Sequence, residues 1–249
     1  MYYFASDMHL GLEHGTPSRE RERRVVRWLD EVARDAKAIF LVGDVFDFWF
    51  EWRKVIPKGF TRLLGKLSEL TDRGVEVHFF NGNHDMWAYD YLRAECGVEV
   101  HHGPEIFELY GKRVFVAHGD NLYLRQPLGI KVMYFFFRSR FWRRVFSALF
   151  PKSAAMRFGQ WWSAKSRKSK SLTHCFGGEE EYLIKYTREY SRAQGDETQI
   201  DFFVFGHLHC AEDYDMGDGR RAVFLGEWIS DAPVYAVLRP DGEMELVAT

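Results

Sequence analysis

Three short apolar runs alternate with two amphipathic stretches at the start of the chain, and each run ends in a polar motif. Tyr2 to Ser6, Ala38 to Val42 and Val75 to Phe80 read as buried strands. Between the first two lies Ser18 to Ala36, where Val25, Val26, Leu29 and Val32 recur at helical spacing. Phe60 to Arg73 reads as a second helix, stopped by Gly74. Strand, helix, strand, helix, strand is the pattern of right-handed crossovers and a largely parallel sheet. Chemistry on such sheets sits at the carboxyl ends of the strands. Asp7-Met8-His9, Gly43-Asp44 and Gly82-Asn83-His84-Asp85 stand just there.

Later the pattern turns strand-rich. Ile106 to Leu109 and Arg113 to Ala117 flank Tyr110-Gly111-Lys112, a hairpin signal. Phe202 to Phe205, Ala222 to Leu225, Val234 to Leu238 and Glu243 to Val247 are further strands. Gly217-Asp218-Gly219 and Pro240-Asp241-Gly242 mark turns between them. The expected class is α/β (α+β), with two packed sheets flanked by helices. Hydrophobic residues make up 46% of 249, ample for a sizeable core. The expected organisation is one domain over 1–249 with a helical insertion at about 121–195.

That insertion has its own composition. Asn121 to Gly178 holds twelve Lys/Arg and no Asp or Glu, so the remainder carries 22 basic residues against 36 acidic ones. Tyr134 to Phe137, Phe141, Trp142, Phe146, Phe150, Trp161 and Trp162 crowd the same stretch. A positive, aromatic helical segment suits an anionic ligand or an anionic leaflet, and its rings can line an acyl groove or sit at a lipid interface. The plainer reading is an amphipathic helix with its aromatics on the core and a solvated basic face.

Cys96, Cys175 and Cys210 are odd in number and widely spaced, which fits a reducing compartment better than a disulfide framework. No signal-peptide pattern follows Met1. Val132 to Phe137, the longest apolar run near the middle, is far short of the ~18–20 residues a membrane span needs. The expectation is a cytoplasmic protein that lies peripherally on the inner membrane.

His118-Gly119-Asp120 and Gly206-His207-Leu208-His209 complete the set of motifs, again after predicted strands. On an extended backbone residues two apart point the same way, so Asp7 with His9, and His207 with His209, would each face one point. Oxygen and imidazole donors without thiolate suit Mn²⁺, Fe²⁺ or Zn²⁺. Asp44 could bridge two ions, and Asn83 offers a neutral amide oxygen. Each fragment alone has a bland reading: Gly-Asp as a turn, Gly-Asn-His-Asp as a capped turn before a helix from Trp87 to Glu95. All five together, each at a strand end, do not. His14, His78, His101, His102 and His174 fall outside the motifs and read as surface or packing residues.

The series D-x-H, G-D, G-N-H-[DE], H, G-H-x-H, spanning residues 7 to 209, resembles the calcineurin-like metallophosphoesterase superfamily. The resemblance implies a four-layer αββα sandwich and two divalent ions, Mn²⁺ foremost, with Fe²⁺ or Zn²⁺ as alternatives. By the same resemblance Asp7, His9, Asp44 and His209 hold one ion. Asp44, Asn83, His118 and His207 hold the other, with Asp44 as the bridge. Such ions, about 3.5–4 Å apart, lower the pKa of water and offset charge on phosphoryl oxygens. His84, beside the ligand Asn83, reads as the catalytic acid or donor. Asp85 either orients it or caps the next helix, with capping favoured.

Gly43-Asp44-Val45-Phe46-Asp47-Phe48-Trp49 and the basic insertion are more particular. They resemble the UDP-2,3-diacylglucosamine diphosphatases of lipid A biosynthesis, in the branch with His at position 84. Other members have Arg there. The implied reaction yields UMP and 2,3-diacylglucosamine 1-phosphate. Asn83, His84, Ser163, Arg167 and Lys170 are the expected substrate contacts, although Arg167 stands where that family commonly has an amide. The expected partners are the lipid-linked nucleotide and the cytoplasmic face of a membrane, with no nucleic acid and no obligate protein partner. Two alternatives stay open: another phosphodiesterase, nucleotide pyrophosphatase or nuclease on the same site, and a non-catalytic scaffold. Steep salt-dependent binding to DNA or RNA would mark the nuclease; a chain that takes no metal would mark the scaffold.

Overall fold

The computed structural model describes residues 1–52, 55–124, 128–139, 141–142, 145, 176–194, 199–217 and 219–249. One sheet has the order β11-β10-β1-β2-β3-β4 and the other β5-β6-β7-β9-β8. In the first, β1 (Tyr2–Ala5), β2 (Ala38–Val42), β3 (Glu76–Phe80) and β4 (Glu99–His101) run parallel. β10 (Val234–Leu238) and β11 (Met244–Ala248) extend it antiparallel. In the second, β6 (Lys112–Ala117), β7 (Phe202–Phe205) and β9 (Arg221–Phe224) are parallel. β5 (Glu105–Leu109) and β8 (Glu212–Asp215) close its edges antiparallel.

Layering follows from which faces are apolar. α1 (Ser18–Val32) and α2 (Thr61–Asp72) lay Val25, Trp28, Leu29, Leu63, Leu67 and Leu70 on the outer face of the first sheet, against Tyr3, Ile39, Leu41 and Phe79. Phe4, Phe40, Val42 and Phe80 face the second sheet's Val114, Val116, Phe202 and Val204. The outer face of the second sheet packs Phe115, Phe203 and Phe205 against Leu183 and Ile184. Those two belong to the last of the remaining helices, α3 (Tyr91–Cys96), α4 (Leu128–Arg138) and α5 (Tyr182–Gln194). Two sheets flanked by helices is the expected class. Strands covered on both faces read as unbroken apolar runs, which is why β2 and β7 are legible at their full length.

Three elements depart from expectation. β8, Glu-Asp-Tyr-Asp, is a charged edge strand and has no apolar alternation to announce it. β4 has three residues and pairs only with β3. The helix expected from Trp87 begins at Tyr91 instead. The Trp87 carbonyl accepts the Glu51 N–H at 3.2 Å, and Asn81 Nδ2 donates to the Ala88 carbonyl at 3.1 Å, so residues 87–88 are held out of the helix. At the hairpin, Leu109 pairs with Lys112 across Tyr110-Gly111, both at positive φ, as a two-residue turn of a right-twisted ribbon requires.

α4 and α5 lie in the segment expected to be an insertion. Leu128, Val132, Phe135, Phe136, Phe141 and Trp142 are exposed. Ser163, Arg167 and Lys170, with Cys175 and His174, lie outside the described residues. No helix among the described residues is long and apolar enough to cross a membrane.

Candidate metal centre

The carboxyl ends of β1, β2 and β3 in one sheet and of β6 and β7 in the other bring the motifs to one place. Asp7, His9, Asp44, His118 and His207 are buried, and Asn83 and His209 are half-buried. Side-chain nitrogens and oxygens converge. His209 Nε2 is 3.1 Å from Asp7 Oδ1 and 3.2 Å from His9 Nε2, which is 3.7 Å from Asp7 Oδ1. His118 Nε2 is 3.3 Å from both Asp44 Oδ2 and His207 Nδ1. Asp44 Oδ2 also stands 3.9 Å from His9 Nε2. One carboxylate oxygen thus borders both groups.

Asp7 and His9 do not face one point by strand alternation, contrary to expectation. β1 ends at Ala5, and Asp7 and His9 have φ of 54° and 44°. Asp44, His207 and His209 share the left-handed region at 51°, 69° and 57°. Side chains in this region are strained and persist only where surroundings over-determine them. The Asp7 N–H donates to the Gly43 carbonyl (3.1 Å) and the His9 N–H to the Asp44 carbonyl (2.9 Å). Arg21, fully buried on α1, donates to the carbonyls of Met8, His9, Leu12, His14 and Thr16 at 2.7–3.3 Å. The pairs meet through strained, clamped turns rather than through a pleat.

Each carboxylate is held by one oxygen and offers the other. Asp7 Oδ2 accepts from Ser6 Oγ (2.6 Å) and the His207 N–H (2.9 Å). Asp44 Oδ1 accepts the His84 N–H at 2.8 Å. Asp7 Oδ1 and Asn83 Oδ1 are left buried without a hydrogen-bond partner. The His118 Nδ1–H donates to the Val42 carbonyl at 2.9 Å, which leaves Nε2 as the donor atom toward the centre. His9 Nδ1 lies 3.5 Å from Asp47 Oδ1.

Electrostatics match this geometry. Burial alone would push the His9 and His118 imidazoles down. Asp47, Asp7 and Asp44 around His9, and Asp44 and Asp7 around His118, reverse that and raise both to about 10. Burial opposes ionisation of Asp7 and Asp44, yet His209 beside the first and His118 and His84 beside the second hold both below the usual carboxylate range. The pocket therefore demands positive charge. Ligand atoms 3.1–3.9 Å apart match neighbours around an ion with bonds of about 2.0–2.2 Å. The orphaned oxygens and the donor set fit divalent ions.

Asp85 does not cap a helix, which corrects the expectation. Oδ1 accepts the Gly82 N–H (2.7 Å) and Oδ2 those of Val45 (2.8 Å) and Phe46 (3.3 Å). It ties the β2 loop to the β3 loop. The first N–H of α3, that of Tyr91, is taken by Glu51 Oε2 at 3.2 Å instead. Burial and the neighbouring Asp44 charge push the Asp85 carboxyl up.

The motif glycines are steric requirements. A Cβ on Gly206 would lie 2.0 Å from Ser6 Oγ and 2.8 Å from Asp7 Oδ2, and one on Gly82 would lie 2.2 Å from Asp44 Oδ1. Gly206→Ala is expected to displace Asp7 and weaken ion binding about 10–100-fold, the range for a lost supporting contact. A metal titration checks this; unchanged affinity would show that Asp7 is not a ligand.

Arg21 and Ser6 are contributors that the sequence does not announce, and Asp47, singled out only as part of its motif, proves to face His9 and His84. Arg21 sits in Arg19-Glu20-Arg21-Glu22-Arg23-Arg24, which reads as a solvated run. Its spacing to Val25, Trp28 and Val32 puts it on the buried stripe, and that was the available signal.

The calcineurin-like phosphoesterase family matches residues 2–211, so the chain belongs to that family. Its relatives include a UDP-2,3-diacylglucosamine hydrolase of Porphyromonas gingivalis, 41% identical over 241 residues and covering 91% of this chain and 90% of that one. UDP-2,3-diacylglucosamine hydrolases of Actinobacillus succinogenes and Haemophilus influenzae are 24% and 23% identical. The first alignment covers 96% of both chains and the second 98% of both.

Proposed function

We propose that the chain hydrolyses the diphosphate of UDP-2,3-diacylglucosamine to UMP and 2,3-diacylglucosamine 1-phosphate. In this reading Asp7, His9, Asp44 and His209 hold one divalent ion, and Asp44, Asn83, His118 and His207 the other. Mn²⁺ is the proposed ion. The observation that carries the reaction class is Asp44 Oδ2, one oxygen bordering both donor groups. The substrate rests on the relatives, whose alignments run nearly end to end. Two divalent ions bound there supply Lewis acidity, acidifying water and offsetting charge on the phosphoryl oxygens.

The chain's own residues do the positioning. The His84 Nδ1–H donates to the Asp47 carbonyl at 3.0 Å, so Nε2 faces inward, 4.0 Å from Asp44 Oδ2. Burial lowers its pKa against the pull of Asp44. An arriving diphosphate favours a proton on Nε2, which then donates to the leaving oxygen. His84→Ala is expected to keep its metal and lose about 10²–10⁴-fold in kcat. Kinetics beside metal analysis test this, and unchanged kcat would remove His84 from the mechanism.

The exposed aromatics of α4 and the basic residues around them support a peripheral site on the cytoplasmic face of the inner membrane. Ser163, Arg167 and Lys170 are the proposed contacts from the insertion. Incubation with UDP-2,3-diacylglucosamine and Mn²⁺ in detergent is expected to release UMP. Cleavage of a generic phosphodiester without UMP release would keep the reaction class and overturn the substrate.

A further inference from the structure

A second group of ligand-type side chains lies on β3 and β4 and shares no residue with the centre above. Glu99 is the cross-strand partner of His78, and His101 the partner of Phe80. Residues two apart on a strand share a face. Glu99-Val100-His101 is therefore a carboxylate and an imidazole two apart on a true strand, the arrangement that Asp7 and His9 do not use. His78 Nδ1 lies 3.0 Å from His101 Nε2 and 3.6 Å from Glu99 Oε2. Glu76 Oε2 stands 3.8 Å from the other nitrogen of His78, Nε2.

The rings are fixed by packing. His78 stacks on Phe40 at 4.6 Å and His101 on Phe80 at 4.5 Å, while Phe107 meets both edge-on. Both imidazoles are buried, but the Glu99 side chain is 56% exposed, so the group opens to water on its outer side.

We propose that His78, His101 and Glu99 form a binding site for a Zn²⁺-class transition-metal ion, with water completing the coordination. Two imidazole nitrogens, one carboxylate oxygen and an open position are a set that Zn²⁺ accepts. The donor atoms are spaced as neighbours around bonds of about 2.0–2.2 Å. Glu76 lies on the Nε2 side of His78, at ion-pair rather than hydrogen-bond distance, and its charge favours the proton there, which would leave the Nδ1 lone pair facing His101 and Glu99. A packing role for two stacked rings needs neither glutamate. An ion here would tie the edge strand β4 to β3. The His101 carbonyl accepts the Asn81 N–H at 2.9 Å, at the start of the loop that carries Asn83 and His84.

Zn²⁺ titration of the chelator-stripped full chain tests this. Wild type is expected to bind one equivalent more than His101→Gln, and Glu99→Gln to hold that equivalent at least 10-fold more weakly. The centre at the strand ends is identical in all three proteins, so the difference isolates this site whatever that centre binds. Hydrolysis with Mn²⁺ is expected to be the same in all three. Co²⁺ loading gives a second readout, a visible absorption component present in wild type and lost in His101→Gln. Equal Zn²⁺ content and affinity in wild type and both variants would overturn the proposal. Glu99 is exposed, so Glu99→Gln alone decides the matter if His101→Gln does not fold.

Discussion

Asp44→Asn is expected to lower kcat/KM on the order of 10³-fold, about 4 kcal/mol of transition-state stabilisation. Asp44 Oδ1 accepts the His84 N–H at 2.8 Å, and an amide oxygen replaces it there without a change of volume. The other oxygen, 3.3 Å from His118 Nε2 and 3.9 Å from His9 Nε2, becomes an amide nitrogen with no lone pair to offer. Its two protons point into a pocket already crowded with imidazoles. The variant is therefore expected to fold and to bind ions poorly. Steady-state kinetics and metal analysis on the same sample check this. Full metal content with unchanged kcat/KM would remove Asp44 from the proposed bridging position.

Arg21→Met is expected to destabilise the protein by about 3–5 kcal/mol. At about 2–4 °C per kcal/mol for a chain of this size, Tm falls by about 6–20 °C. The guanidinium reaches five carbonyls between Met8 and Thr16. Methionine fills much of the volume and leaves those acceptors without their donor. The same loop holds His9 at φ 44°, so ion affinity is expected to fall with stability. Arg21→Lys is expected to be intermediate, because a compact ammonium cannot span the fork. Thermal denaturation tests the prediction, and a Tm within a degree or two of wild type would contradict it.

The sequence shows which residues meet but not how their backbone lets them. Strand ends followed by Asp, Asn or His are visible because β1, β2 and β3 are covered on both faces and read as unbroken apolar runs. The left-handed backbone at Asp7, His9, Asp44, His207 and His209 is not visible: Asp and His enter that region more often than other side chains, but still only occasionally, so residue type alone does not announce it. Long-range bonds impose it. Asp85 looked like a cap because a carboxylate before a helix usually is one. Its real partners are Gly82 nearby and Val45 and Phe46 from another loop about 40 positions away. Arg21 was hidden in a charged run whose inward-facing members only the helical stripe distinguishes. β8 carried no apolar signal because its charges protect a sheet edge.

Electron paramagnetic resonance of the Mn²⁺-loaded chain tests the central claim, a pair of ions sharing Asp44, most directly. Two ions held in common by Asp44 would be spin-coupled, so a coupled-pair spectrum is predicted for wild type and its loss for Asp44→Asn. A wild-type spectrum of isolated Mn²⁺ alone, at saturating metal, would contradict the account.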